Sequence, residues 1–179
     1  MIVKLAETDE DKKNAYEIRY KVFTKEMGNN AWANHEAKTF IDPWDQGSNR
    51  CFVAIIDNSY AATLRIVFKK EVPLQFEQFL PFNLIARDLG LEVNEILLNL
   101  GYCERVAVLS QFRRTNVFRS LFEHIHNYLN CSHDIKYVLG LIRKDNTRAI
   151  KVFKSMGYEC EKYFIEVKGY EMTICFKTL

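Results

Sequence analysis

No stretch of this sequence approaches the ~20 consecutive apolar residues that a membrane-crossing helix requires, so no membrane association is expected. Tandem repeats, low-complexity tracts and Pro/Ser-rich linkers are also missing. Nothing therefore divides the 179 residues, and one domain spanning 1–179 is expected. Met1–Glu7 lacks the long apolar segment and the cleavage site of a secretory signal. The five cysteines (Cys51, Cys103, Cys131, Cys160 and Cys175) are odd in number, scattered, and never spaced as CxxC. That pattern argues against both a disulfide framework and a zinc cluster, and favours a reducing compartment. A cytoplasmic location is the expectation that remains. His35, His124, His126 and His133 have no metal-ligand spacing with a cysteine or carboxylate, and no metal is expected. A net charge of +2 is too weak to predict a nucleic-acid partner, which needs clustered Lys and Arg.

What is present reads as a soluble mixed fold: 48% of the residues are hydrophobic and 27% charged. Ile2–Ala6 is a short strand. Thr8 followed by Asp9, Glu10 and Asp11 is a helix start, with Ala15, Ile18, Val22 and Phe23 at helical spacing and Gly28 as its stop. Residues 29–49, with Pro43 and Gly47, read as polar and irregular. Arg50–Asp57 and Tyr60–Phe68 form a hairpin turning at Asp57-Asn58-Ser59. Residues 73–100, punctuated by Pro73, Pro81 and Gly90, pass from loop to helix. Tyr102–Leu109 is a strand, Arg113–Asn130 a loop leading into a helix, and Ile135–Ile142 a buried strand. Asn146 caps a helix that Gly157 ends, and Tyr158–Val167 with Tyr170–Lys177 close the chain as a β pair. Strands alternating with helices predict a mixed α/β sheet covered by helices. The stripe Phe118, Phe122 and Tyr128 reads as core.

The segment from Glu104-Arg-Val-Ala-Val through Arg113-Arg-Thr-Asn-Val-Phe-Arg119 resembles the central strand, pyrophosphate loop and following helix of the GNAT acyltransferase superfamily. Asn146-Thr-Arg-Ala-Ile-Lys-Val-Phe-Lys-Ser-Met-Gly-Tyr is similar to that family's N-x-x-A-x-x-F/L-Y-x-x-x-G-F block. Arg19-x-x-Val22-Phe23, Asp42-x-x-Asp45, Arg65 and Arg105 resemble the branch containing the acyl-homoserine-lactone synthases and N-acyl amino acid synthases. The resemblance covers nearly the whole chain. It implies a mostly antiparallel sheet of about six to seven strands with helices on both faces.

The resemblance also implies a site. Val106, Ala107 and Val108 would offer backbone groups to the pantetheine arm of a donor, or are simply buried strand. Arg113, Arg114, Thr115, Asn116, Val117, Phe118 and Arg119 would form the anion site at a helix N-terminus, with Asn146 completing the donor-binding set. The family's glycines stand where this chain has Asn116 and Phe118, and three arginines partly compensate. A solvated basic helix start is the other reading. Glu104 is the candidate base, on the same strand face as Tyr102 and Val106 by a period of two. A plain ion pair with a neighbouring arginine is its other reading. Arg65 and Arg105 lie in apolar strands, where an unpaired charge is costly, so pairing with Asp42 and Asp45 is expected. With Arg19, Phe23, Trp32 and Tyr102 they make the acceptor-site set, or a purely structural cluster. The position of the family's acid tyrosine falls on Phe153.

The expected function is N-acyl transfer from acyl-CoA (acetyl-CoA or longer), or from an acylated carrier protein, to a primary amine of a small molecule. The expected state is a monomer or homodimer. A catalytically silent GNAT-like domain that binds acyl-CoA or a partner protein is the alternative.

Overall fold

The computed structural model describes residues 1–45, 50–132 and 135–179; Gly47 and His133 lie outside them. In chain order the strands and α-helices are β1 (Ile2–Leu5), α1 (Asp9–Arg19), β2 (Ala33–Asn34), β3 (Thr39–Phe40), β4 (Arg50–Ile56), β5 (Ser59–Phe68), α2 (Phe82–Leu89), α3 (Val93–Leu98), β6 (Leu100–Val108), α4 (Val117–Ser132), β7 (Tyr137–Arg143), α5 (Thr147–Ser155), β8 (Phe164–Val167) and β9 (Tyr170–Thr178). Seven strands make one mixed sheet in the order β1-β4-β5-β6-β7-β9-β8, flanked by helices; β2 and β3 form a separate small hairpin. β6 and β7 pair in parallel, whereas β1/β4, β4/β5, β7/β9 and β8/β9 are antiparallel.

The chain divides into two compact units, one of Met1–Ile66 with Glu104–Asn127 and one of Val67–Cys103 with Tyr128–Leu179. In the first, the Thr8 hydroxyl accepts the Asp11 amide at 3.1 Å and caps α1. Asp57 and Asn58 both take positive φ (48° and 60°), which suits a two-residue turn matched to strand twist. The β4/β5 register shifts between Ala54 and Ile55, so that Cys51 faces Arg65. Ile18, Val22 and Ala107 form one apolar contact set, and Ala6, Ala15 and Val53 another. α1 widens into a π-helical segment over Tyr20–Glu26 before Gly28 (φ 71°) ends it. The apolar spacing of 18, 22 and 23 does not distinguish that widening from a regular helix.

In the second unit, β7 and β9 are in register from Tyr137↔Thr178 to Arg143↔Met172. Phe82, Ile85 and Ile96 from α2 and α3 pack with Leu100, Tyr102, Tyr137, Leu139, Ile174 and Phe176. Asn146 caps α5 by accepting the Ala149 amide at 3.2 Å, and Gly157 takes φ 82° after it. The last β pair is shorter than the sequence reading. β8 begins at Phe164; before it the chain meets β9 without a continuous ladder, through the isolated bridge Glu159↔Phe176 and the Ile174 amide donating to the Tyr163 carbonyl at 3.0 Å. Glu161 at φ 66° turns the chain out of strand geometry there.

Candidate active site

β5 is buried continuously from Ala61 to Phe68, and Arg65 lies in the middle of that run with no exposed surface. A guanidinium in such a position must have its charge matched and its donors satisfied. Its Nη1 and Nη2 donate to the two Asp42 carboxylate oxygens at 2.5 and 3.1 Å, a bidentate pairing. Nε donates to Glu104 Oε1 at 2.9 Å, and Nη1 lies 2.8 Å from Asp45 Oδ1. Arg19, equally buried, donates to Asp45 Oδ1 at 2.6 Å and to the Cys51 sulfur at 3.3 Å. Arg105 donates from Nε to Asp42 Oδ2 at 2.5 Å.

Three arginines thus oppose three carboxylates. The two aspartates are presented by a self-bonded turn: the Asp42 amide donates to Asp45 Oδ2 and the Trp44 amide to Asp42 Oδ1. Glu104 and Arg105 are sequence neighbours, and consecutive residues of a regular strand point to opposite faces. Here both reach the same cluster, because Arg105 takes a left-handed φ of 53°. That conformation costs ~1 kcal/mol or more for a side chain with a Cβ. The Phe40 ring underlies the Arg105 guanidinium at 5.6 Å, and Phe23 stacks edgewise on Phe40 at 5.3 Å.

The environment pushes two of these carboxyls in opposite directions. Burial would raise Asp42, but hydrogen bonds and charge from Arg65 and Arg105 hold it below the usual carboxylate range. For Glu104 burial wins over the same two arginines, and its proton affinity is raised. Glu104 Oε1 is used by Arg65, while Oε2 is buried and has no hydrogen-bond partner among the described residues; Arg19 Nε shares that condition. An unmatched carboxylate oxygen out of water is costly to keep.

The other sequence-predicted residues are distributed unevenly around this cluster. Ala107 is buried against Ile18 and Val22, and Val106 and Val108 are half-buried. The Arg105 conformation interrupts the strict alternation that would put Val106 on the face of Glu104. Arg113 is held by the chain itself, donating to Val108 O at 2.9 Å and pairing with Glu26. Arg114 is exposed and has no partner among the described residues. Thr115 Oγ1 accepts the Val117 amide at the start of α4, and the Asn116 carbonyl accepts the Ser120 amide. Phe118 packs on Phe122 at 4.9 Å, and Arg119 lies 4.0 Å from Glu123. Trp32 is exposed, with its carbonyl accepting the Ile41 amide.

Tyr102 and Asn146 belong to the second unit, Tyr102 in its apolar core and Asn146 as the α5 cap. Phe153 meets Tyr158 edge to face at 4.8 Å, and burial raises the Tyr158 hydroxyl well above its ordinary value. Among the described residues no three His, Cys, Asp or Glu side chains group as a metal site. Sequence reasoning missed Cys51 and Phe40. Cys51 faces Arg65 because of the hairpin's register shift, which its turn residues do not announce.

The acetyltransferase (GNAT) family model matches residues 13–158. Among solved structures, the CoA-dependent acyl-homoserine lactone synthase BjaI with SAM and isopentyl-CoA superposes at a TM-score of 0.72, with 13% identity over 97% of this chain and 80% of that one. TofI, in a ternary complex with an inhibitor and MTA, gives 0.72 at 12% identity over 99% and 91%. The ribosomal-protein-alanine N-acetyltransferase from Brucella melitensis gives 0.63 at 12% over the full length of both chains. At these identities the likeness is one of fold. No curated protein matches the sequence.

Proposed function

The chain belongs to the acetyltransferase (GNAT) family, and we propose that it is an N-acyltransferase, moving an acyl group from acyl-CoA to a primary amine of a small molecule. Residues 1–179 act as one catalytic domain in this reading. Glu104 is the base, and the observation that carries the assignment is its Oε2: buried, unpartnered, and on a carboxyl whose proton affinity burial has raised. A carboxylate poised in that way accepts a proton from an incoming ammonium, directly or through one water. The neutral amine attacks the thioester carbonyl, the C–S bond breaks, and the thiol leaves with one proton. A thiol leaves readily near its pKa of ~8.5, so no enzyme acid is essential, in keeping with Phe153 at the family's tyrosine position.

Arg65 and Arg105 orient the carboxylates and neutralise the cluster. Phe23, Phe40 and the Arg105 face, with Trp32 nearby in sequence, line the acceptor's approach. The backbone of Val106–Val108 holds the donor's arm, and Arg114 with the α4 start holds its phosphates. The BjaI complex with isopentyl-CoA supports CoA as donor class; an acylated carrier protein is the other thioester source. The tying of Arg113 to Glu26 and Val108, with Asn116 and Phe118 in place of glycines, favours a second reading, a domain that binds acyl-CoA without turnover.

Released thiol, measured with a panel of amines and acetyl-, octanoyl- and palmitoyl-CoA, separates the two. We expect turnover that rises with pH through one ionisation, and a ~10²–10⁴-fold loss in Glu104→Gln with donor binding retained. A Glu104→Gln variant fully active across pH 6–9 would remove the base assignment. Binding of CoA by thermal shift without turnover on any amine would leave the second reading standing.

A further inference from the structure

Glu159 and Phe176 exchange both backbone hydrogen bonds, Glu159 N–H to Phe176 O at 2.8 Å and Phe176 N–H to Glu159 O at 2.9 Å. They are therefore a hydrogen-bonded antiparallel pair. Continuing that pair by one residue sets Cys160 opposite Cys175 at a non-hydrogen-bonded position, where in antiparallel geometry Cα atoms approach to ~4.5 Å and side chains project to the same side. That separation lies within the ~4.4–6.8 Å range over which two cysteines can be bridged. The segment then folds over the Cys175 side of β9, because the Glu161 amide donates to Thr173 Oγ1 at 2.8 Å.

Cys160 Sγ donates to the Tyr158 carbonyl at 3.9 Å, and both cysteines are free thiols. Their exposure differs: Cys160 is half-buried and reachable, whereas Cys175 has no exposed surface. Neither cysteine belongs to the charged cluster around Arg65.

We propose that Cys160 and Cys175 are a thiol–disulfide exchange site, oxidised to an intramolecular disulfide by low-molecular-weight disulfides. Cys160 is the attacking thiol. Its thiolate attacks one sulfur of the small disulfide, forming a mixed disulfide and releasing one small thiol(ate). Cys175 then gives up its proton and attacks the Cys160 sulfur, expelling the second small thiol. The protein loses two hydrogens and two electrons overall, and the small disulfide becomes two thiols. The Cys175 thiol beside it and the Lys154 ammonium hold Cys160 below the usual thiol range, which suits the attacking role. Cys175 is raised by the neighbouring Cys160 thiol and by burial, so it remains a thiol until the mixed disulfide is beside it. Closing the bridge joins the Cys160–Tyr163 segment to β9 and shortens the unfolded chain's reach, so the oxidised protein should melt at a higher Tm.

The test uses the full-length protein incubated with oxidised glutathione, quenched by alkylation and digested without reductant. Trypsin cuts after Lys154, Lys162, Lys168 and Lys177, so each cysteine leaves on its own peptide, Ser155–Lys162 and Gly169–Lys177. The expected product is those two peptides joined, two hydrogens lighter than their sum, and absent after reduction. Cys175→Ser should instead trap glutathione on Cys160, and Cys160→Ser should leave Cys175 unmodified. Wild-type protein in which both cysteines are alkylated, or in which glutathione stays on Cys160 unresolved, overturns the proposal. The wild-type digest decides the matter alone if the Cys175 variant does not fold. None of these readouts depends on acyl transfer.

Discussion

In the unit of Met1–Ile66 and Glu104–Asn127, Asp11, Arg19, Asp42, Arg65 and Glu104 are all buried charges; among the described residues of the other unit no charged side chain is buried, and the buried polar one is Thr173. The second unit is held by apolar packing, Phe82, Ile85, Ile96, Ile174 and Phe176 among its contributors. Its stability should track buried area and be nearly indifferent to pH and salt. The first unit spends part of its core on ions that apolar residues of the same volume would replace at no loss of stability. Such a cluster makes sense where charge must be held at a fixed place, and it carries the two orphaned polar atoms, Glu104 Oε2 and Arg19 Nε. The asymmetry puts the buried charges and both orphaned atoms in one unit, which is where the proposed base lies.

The largest effect should come from Arg65→Ala. It leaves Asp42, Asp45 and Glu104 facing one another without their shared cation, a loss of ~3–5 kcal/mol in urea unfolding. Ile174→Ala in the other unit should cost a similar ~2–5 kcal/mol as a cavity. pH separates them. Asp42 has a depressed folded pKa, so its contribution is present above the ordinary carboxylate value of ~3.9 and is lost as pH falls through the lower folded value. The Arg65→Ala deficit should therefore shrink below about pH 4, and the Ile174→Ala deficit should not. Parallel pH curves for the two variants would erase the contrast between the units.

Next in size is Asp45→Ala, at ~1.5–3 kcal/mol for lost hydrogen bonds to charged groups. Asp45 serves both Arg19 and Arg65, so the double variant with Arg65→Ala should cost less than the sum of the singles. Additive costs would show that the two residues do not share one network.

A smaller effect probes the backbone. At Arg105, glycine should be better tolerated than alanine by ~1 kcal/mol, because φ is 53° there. Within a regular strand the order is the reverse, alanine over glycine. Finding that reverse order in thermal unfolding would mean that the left-handed turn of β6 carries no strain.

That turn also marks where the sequence stops being readable. An arginine in an apolar strand must be paired, and the set marked by the family resemblance supplied Asp42 and Asp45 as the partners of Arg65 and Arg105. The caps at Thr8 and Asn146 and the turn at Asp57-Asn58 were legible for local reasons. The convergence of Glu104 on the same cluster was not. It depends on a left-handed residue that is not glycine, and on a one-residue slip between Ala54 and Ile55 that puts Cys51 rather than Arg50 across from Arg65. Neither leaves a mark in the hydrophobic pattern. The residues before Phe164 failed for a related reason, since Glu161 takes positive φ inside an otherwise strand-like run.

The smallest expected effect distinguishes Arg113 from Arg114, adjacent residues with opposite commitments. Arg113 is tied to Glu26 and to the Val108 carbonyl, so its removal loosens the junction of β6 and the loop before α4. Arg114 is exposed, and Arg114→Ala should change unfolding free energy by no more than ~0.5 kcal/mol. Its consequence should appear in binding instead. If its guanidinium meets the donor's phosphates, Arg114→Ala weakens CoA binding at low salt, and the deficit closes as ionic strength rises and the Debye length falls from ~10 Å at 0.1 M towards ~3 Å at 1 M. Calorimetric titration of both single variants with CoA at two salt concentrations makes the comparison. A salt-sensitive loss in Arg114→Ala, with Arg113→Ala changed chiefly in stability, matches the division of labour described. Unchanged CoA affinity for Arg114→Ala at low salt would remove the α4 N-terminus as the anion site and shift weight to the reading in which the glycine-poor loop no longer grips a nucleotide donor.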